Sequence, residues 1–302
     1  MFIRSMTILQ LAGALLRVSI FMLVFSIGLQ TSMADAIHLL RRPGLFVRSF
    51  TAMNVLMPVF AVVVALAFSL NPAVKIALVF LAVSPVPPIL PMQEKDSTEG
   101  AAYIRGLLIT MALLCIVVMP LTMEAIERLF PQHQLSVSPL VVAKIVLATV
   151  ILPICSGMLL HRLMPDMASR ITGPLSMLAY LFLLAPVVVI LIVAFPGIRA
   201  IVGNGTIAAI AAFVFFGIAA GYWMGGPSTE TRSTLGLATA SRHPGLAFAV
   251  ASVNFPAQRK AIAATILLYL LIRIALQVPY NLWRKQRRAL PLVRDKGAQH
   301  TA

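Results

Sequence analysis

The strongest constraint on this chain is a succession of apolar stretches, each about as long as a lipid bilayer's hydrocarbon core is thick. A helix needs about 20 apolar residues to cross that core. Nine stretches qualify: about Thr7–Leu29, Phe50–Leu70, Ala73–Leu90, Ala101–Met123, Pro139–Leu160, Pro174–Phe195, Gly205–Met224, Ser233–Phe255 and Ala261–Leu282. Helix-stopping punctuation separates them: Arg42-Pro43-Gly44, Asn71-Pro72, Phe130-Pro131, Phe195-Pro196-Gly197 and Gly225-Gly226-Pro227. Charged residues make up 11% of the chain, against roughly 25% in an average soluble domain. So few charges cannot cover a water-soluble globule of this size. The expected fold is an all-α integral membrane protein of about nine transmembrane helices. Residues 1–283 would form one membrane domain, and 284–302 a basic tail expected to be disordered.

A formal charge of +15 invites a nucleic-acid reading, but the placement of the charges excludes it. They sit at the ends of apolar segments, where membrane proteins keep cytoplasmic Lys and Arg. Six lie in the tail, from Arg284 to Lys296, and face anionic lipid headgroups. With the N-terminus outside, the cytoplasmic segments hold fourteen Lys and Arg and the outer segments six. The bias predicts an external N-terminus and a cytoplasmic C-terminus. The run Thr7–Leu29 is too long for a signal-peptide core and contains Arg17, so it reads as a retained first span. Cys115 and Cys155 each lie in an apolar run, without metal-ligand or redox spacing.

Two of the stretches are broken. The third contains Ser84-Pro85-Val86-Pro87-Pro88-Ile89-Leu90-Pro91, and prolines at Pro85, Pro87, Pro88 and Pro91 cannot continue a regular helix. The eighth contains Ser241-Arg242-His243-Pro244-Gly245. Each break is followed by one more span. Five-helix units account for this: spans five to nine form one unit (about 137–283), and spans one to four form another lacking its first helix (about 7–130). Units with an odd number of helices have opposite topology. Inverted repeats with matched broken helices point to a secondary transporter's midplane site.

Three stretches resemble the bile acid:sodium symporter family in its broad sense: Phe25-Ser26-Ile27-Gly28-Leu29 with Asp35 and Arg42-Pro43; Leu81-Ala82-Val83-Ser84-Pro85 with Gly100; and Pro244-Gly245-Leu246-Ala247-Phe248-Ala249 ending at Asn254-Phe255-Pro256. The resemblance runs from about Ile20 to Trp283. It implies a bacterial-type transporter of the cytoplasmic membrane, with nine or ten helices in two inverted units and sodium as coupling ion. The chain departs from the family at the implied sodium ligands. Where the family has a Ser-Asn pair after the first break, this chain reads Pro88-Ile89-Leu90-Pro91-Met92. Ala238 stands near the family's Glu, and Arg242 and His243 stand at its Gln-Asn pair. An Arg about 4 Å from a cation costs on the order of 4 kcal/mol at an effective dielectric of 20. Sodium is therefore poorly served, a proton is the other candidate, and no cofactor or metal is expected.

Arg242 lies mid-span, where a charge faces a cavity or a partner, just before a half-helix starting near Pro244. The positive end of that helix would point at the same spot. Arg242 could thus bind an anion, most simply a carboxylate, or could pair with Glu94 or Asp96. His243 could relay protons or bond a carbonyl freed at the break. Candidate substrate contacts are Arg242, His243, Ser241, Ser84 and Asn54, the last able to bond across helices. Glu94, Asp96 and Thr239 are candidates for the coupling ion. Glu94, Lys95, Asp96 and Glu99 line a cytoplasmic mouth or form a solvated turn. Lys144 and Arg273 fall within spans and could face inward, whereas Arg17 could snorkel to the interface. The expected function is transport of a small organic anion. The alternatives are a non-transporting sensor or scaffold on the same fold, and a membrane enzyme, for which no paired-acid, His-rich or nucleophile-elbow motif is present.

Overall fold

The computed structural model describes residues 8–93, 98–129 and 137–299, with side chains over 10–91, 99–128 and 137–284. Among these residues every regular element is helical. The first helix, α1 (Ile8–Gly28), is followed by a single turn, α2 (Met33–Ala36), whose start is fixed by a reciprocal capping box between Ser32 and Asp35. A long helix then runs from Pro43 to Ala67 as α3 (Pro43–Phe50), a π-helical turn (Thr51–Leu56) and α4 (Met57–Ala67). After it come α5 (Pro72–Val83), a 3-10 turn at Leu90–Gln93 and α6 (Thr98–Leu129). The second half repeats the use of a π turn: α7 (Pro139–Val146), the turn Leu147–Ile151 and α8 (Leu152–Leu163) form one continuous helix. Next are α9 (Pro165–Ile201), α10 (Thr206–Met224), α11 (Thr229–Ala240), α12 (Pro244–Asn254) and α13 (Arg259–Gln299).

Seven of these helices are long and apolar enough to cross a membrane: 10–28, 43–67, 99–128, 139–163, 165–201, 206–224 and 256–284. The other two apolar segments are interrupted. One is α5 and the irregular chain after it; the other is the α11–α12 pair.

Both π turns have a proline just beyond them, Pro58 and Pro153. A proline ring clashes with the carbonyl four residues earlier, and widening the turn relieves the clash. Asn71 caps α5 by accepting from the Ala73 amide, 2.9 Å away, and Pro72 takes the first helical position, where no amide donor is missed.

Two expectations about helix ends are corrected. Phe195-Pro196-Gly197 does not stop a helix: α9 extends over 37 residues and passes through Pro174, Pro186 and Pro196. At 1.5 Å per residue it is about 55 Å long, well beyond the hydrocarbon thickness, and an apolar helix in lipid tolerates prolines whose freed carbonyls find other partners. The tail expected to be disordered continues α13 as helix to Gln299. The punctuation at Phe130-Pro131 lies outside the described residues.

The helices pack in two groups. In one, α1 lies against α8 and α9. In the other, α3–α4, α5, α6, α10, α11, α12 and α13 surround the main apolar core. The groups meet chiefly where α6 touches α7 and where α9 touches α13. Within the first group α1 and α8 approach backbone to backbone. A Cβ on Gly28 would collide with the Ile154 carbonyl, and one on Gly157 with the Phe25 carbonyl, because small residues let helices in lipid come this close.

Polar contacts hold one face together. Arg42 pairs with Glu99 at 2.7 Å, Ser228 donates to the other Glu99 oxygen at 3.3 Å, and Arg105 pairs with Asp35 at 2.9 Å. Burial, and then the Arg42 charge, hold the His38 imidazole below its usual range, so it adds no further positive charge there near neutral pH. The connections after α1, before α6 and before α11 therefore share one face. Phe68 and Gly205, from two other connections, lie against each other.

Gly157→Val should weaken the α1–α8 seam by roughly 1–3 kcal/mol or more, as overpacking does. Thermal unfolding of the detergent-purified protein should show a clear drop for this variant. Gly13→Ala should show none, since nothing lies within 4 Å of a Cβ there.

Candidate functional site

The site follows from which carbonyls the prolines leave without a partner. In a π turn the Met53 carbonyl would accept from residue 58, which is Pro58 and has no N–H. The Ser84 carbonyl would accept from residue 87 or 88 in a 3-10 or α-helix, and both are prolines. The α-helical partner of the Ala240 carbonyl would be Pro244. A buried carbonyl must nonetheless be paired, and in lipid its partner has to come from the protein.

The two interrupted segments meet and supply those partners. α5 ends at Val83, Ser84 is extended, and α11 ends at Ala240 with Ser241 also extended. Arg242, fully buried at 0% exposure, reaches across: Nη1 donates to the Ser84 carbonyl at 3.1 Å and Nη2 to the Met53 carbonyl at 2.8 Å. The His243 amide donates to the Pro85 carbonyl at 2.9 Å. Tyr269, from α13, donates its hydroxyl to the Ala240 carbonyl and accepts from the Arg242 amide, both at 2.8 Å. Gln277, two turns further along α13, donates to the Ser241 hydroxyl at 2.7 Å.

α12 begins with Pro244 at its first position and His243 as its cap. The His243 ring accepts from the Leu246 amide through Nδ1 at 3.2 Å, which leaves Nε2 to carry the hydrogen of the neutral ring. At the break it is thus the His243 backbone, bonded to the Pro85 carbonyl, and not the ring that meets a carbonyl. Nε2 is buried with no hydrogen-bond partner.

The sequence candidates divide accordingly. Ser84, Ser241, Arg242 and His243 come together with the prolines of both breaks. Ser84 acts here through its carbonyl, because its hydroxyl turns back to Leu81 at 2.8 Å. Gly245 sits beside the His243 ring. Pro85 and Pro87 lie in irregular chain, Pro88 in a turn and Pro91 in the 3-10 turn. Asn54 donates across to the Met111 sulfur of α6 at 3.4 Å, and Thr239 lies against Gly221 of α10. Neither joins the Arg242 cluster. Glu94 and Asp96, and with them the pairing considered for Arg242, fall outside the described residues. Lys144 is exposed, contrary to the inward position considered for it, and Arg17 is exposed as well. Both are long side chains able to lie along an apolar surface.

Arg273 is buried at 6% exposure, and its Nε and Nη1 have no partner. Tyr269 and Gln277 escaped the sequence reading, although a signal was present: Thr265, Tyr269, Arg273 and Gln277 recur at every fourth position of α13 and are all buried. A polar stripe at helical spacing in an apolar span marks an inward face. Among the described residues neither Arg242 nor Arg273 forms an ion pair with a carboxylate. A cavity of about 410 Å³ lies elsewhere, between α6 and α7, lined by Val117, Pro120, Leu121, Glu124, Glu127 and Pro139. Its two acids give it the wrong sign for an anion.

Residues 17–199 match the sequence pattern of the Sodium Bile acid symporter family. The matched span includes the first break and ends before the second. No curated protein matches the chain.

Tyr269→Phe would leave the Ala240 carbonyl and the Arg242 amide without partners in a buried site. A loss of about 1–3 kcal/mol of stability is expected, read as a lower unfolding midpoint with unchanged helix content.

Proposed function

As the chain belongs to the sodium bile acid symporter family, and so is a membrane transporter of the bile acid symporter type, we propose that it carries a small organic anion by alternating access. The observation that carries this reading is the buried positive charge where the interrupted helices meet, which has no carboxylate partner among the described residues. Arg242 keeps its full charge after donating to two neutral carbonyls. Arg273 adds a second charge with two unpartnered nitrogens. The amide end of α12 starts at Pro244, two residues after Arg242. Charge-assisted bonds from such groups suit a carboxylate or a similar anion.

The reading includes nine crossings in two inverted units, the first lacking one helix. Support comes from the shared face of Arg42, Glu99 and Ser228, which requires an even number of crossings between the connections they occupy. With the Lys and Arg bias, that face is cytoplasmic and the N-terminus external. In the proposed cycle the α1, α7–α8, α9 group moves against the group that contains the breaks.

The test is uptake of a panel of labelled carboxylates by proteoliposomes, together with direct binding to the purified protein. Arg242→Ala should abolish binding while the protein stays folded. Arg273→Gln should weaken binding by more than about tenfold, the equivalent of 1.4 kcal/mol. Unchanged affinity in both variants would remove the anion site.

A further inference from the structure

We infer that the Arg242 guanidinium is the resident cation of this crossing, holding the place that a sodium ion would need, so that the crossing closes without sodium. The inference deepens the transport reading and rests on it for its functional meaning. Its test uses no substrate, so the two can fail separately.

Sodium is a hard cation that binds through several oxygen ligands, as other hard cations do. The oxygens freed here are backbone carbonyls of Met53, Ser84 and Ala240. The first two are taken by Nη2 and Nη1 of Arg242, at 2.8 and 3.1 Å. The third is taken by the Tyr269 hydroxyl at 2.8 Å. The hydroxyl of Ser84 donates to Leu81, and that of Ser241 accepts from Gln277. Among the described residues no carboxylate pairs with Arg242, and Ala238 is a buried methyl. An added sodium ion would find its carbonyl ligands engaged, no acid among the described residues to balance it, and a fixed positive charge a few ångströms away. The donor set does not fit sodium.

It does fit a planar cation with several N–H groups. A guanidinium presents donors in a fixed fork and stays charged. Two edges of the fork meet carbonyls from two different helical segments while the stem is anchored in a third. A metal ion would gather those carbonyls reversibly. Arg242 gathers them permanently, because it is covalently part of the chain.

The experiment measures unfolding of the purified protein in detergent without substrate. The wild type is compared in sodium, potassium and choline chloride at equal ionic strength, and should unfold at the same temperature in all three. Arg242→Ala should unfold lower, by on the order of 5–10 °C for two lost charge-assisted bonds. Millimolar guanidinium, but not urea, should restore part of that loss in Arg242→Ala and should leave the wild type unchanged. If Arg242→Ala does not fold, Arg242→Lys serves in its place: it keeps the charge but lacks the fork, and should show a smaller drop. A saturable rise of the wild-type midpoint with sodium over potassium overturns the inference. So does a variant as stable as the wild type, or a loss that guanidinium cannot repair.

Discussion

The constraint on which the rest of this structure depends is the peptide carbonyl that has lost its donor to a proline. In water such a group would be solvated; in lipid each one left unpaired costs several kcal/mol. Pro58, Pro87, Pro88 and Pro244 create these groups at Met53, Ser84 and Ala240. The second break answers two of them and Tyr269 of α13 the third. The first break is rich in prolines and supplies acceptors. The second supplies donors, through the Arg242 side chain and the His243 amide. Two identical breaks would each carry the same surplus. Here they are complementary, which binds one to the other and leaves neither able to satisfy itself.

The electrostatics follow from the same arrangement. Carbonyl dipoles solvate the Arg242 charge but do not cancel it, and Arg273 lies one turn along α13 from Tyr269, which bonds the Arg242 amide. A buried cation without a counter-charge is costly. An incoming anion would remove that cost at the moment of binding.

The membrane class, both interruptions and the start of α12 at Pro244 were legible because each rests on local chemistry: apolar length, proline and glycine. The positive charge at the crossing was legible for the same reason, since an arginine within an apolar run must find a partner. Its partners were not legible. Met53 lies far from Arg242 in sequence, and its carbonyl becomes available only because a π turn places Pro58 where its donor should be. The α9 helix was read as shorter than it is, because proline and glycine at 196 and 197 stop helices in water more reliably than in an apolar setting. Tyr269 and Gln277 carried a readable polar stripe, but a tyrosine and a glutamine read singly look like ordinary interfacial residues.

The bonds at the crossing also indicate what can move in the proposed cycle. Arg242 ties the second break to the π turn and to the first break, while Tyr269 and Gln277 tie it to α13. Four segments of the larger group are thus locked by buried bonds whose loss would expose unpaired polar groups, so they travel together. Among the described residues the smaller group has no comparable tie to them. Its own seam is the close glycine contact of α1 and α8, and it touches the larger group through apolar side chains of α6, α7, α9 and α13. Apolar surfaces in lipid slide without breaking hydrogen bonds, because there is no hydrophobic drive between them to overcome. In the proposed cycle the seam of lowest resistance therefore lies between the groups, and the crossing would ride as a rigid part of one of them.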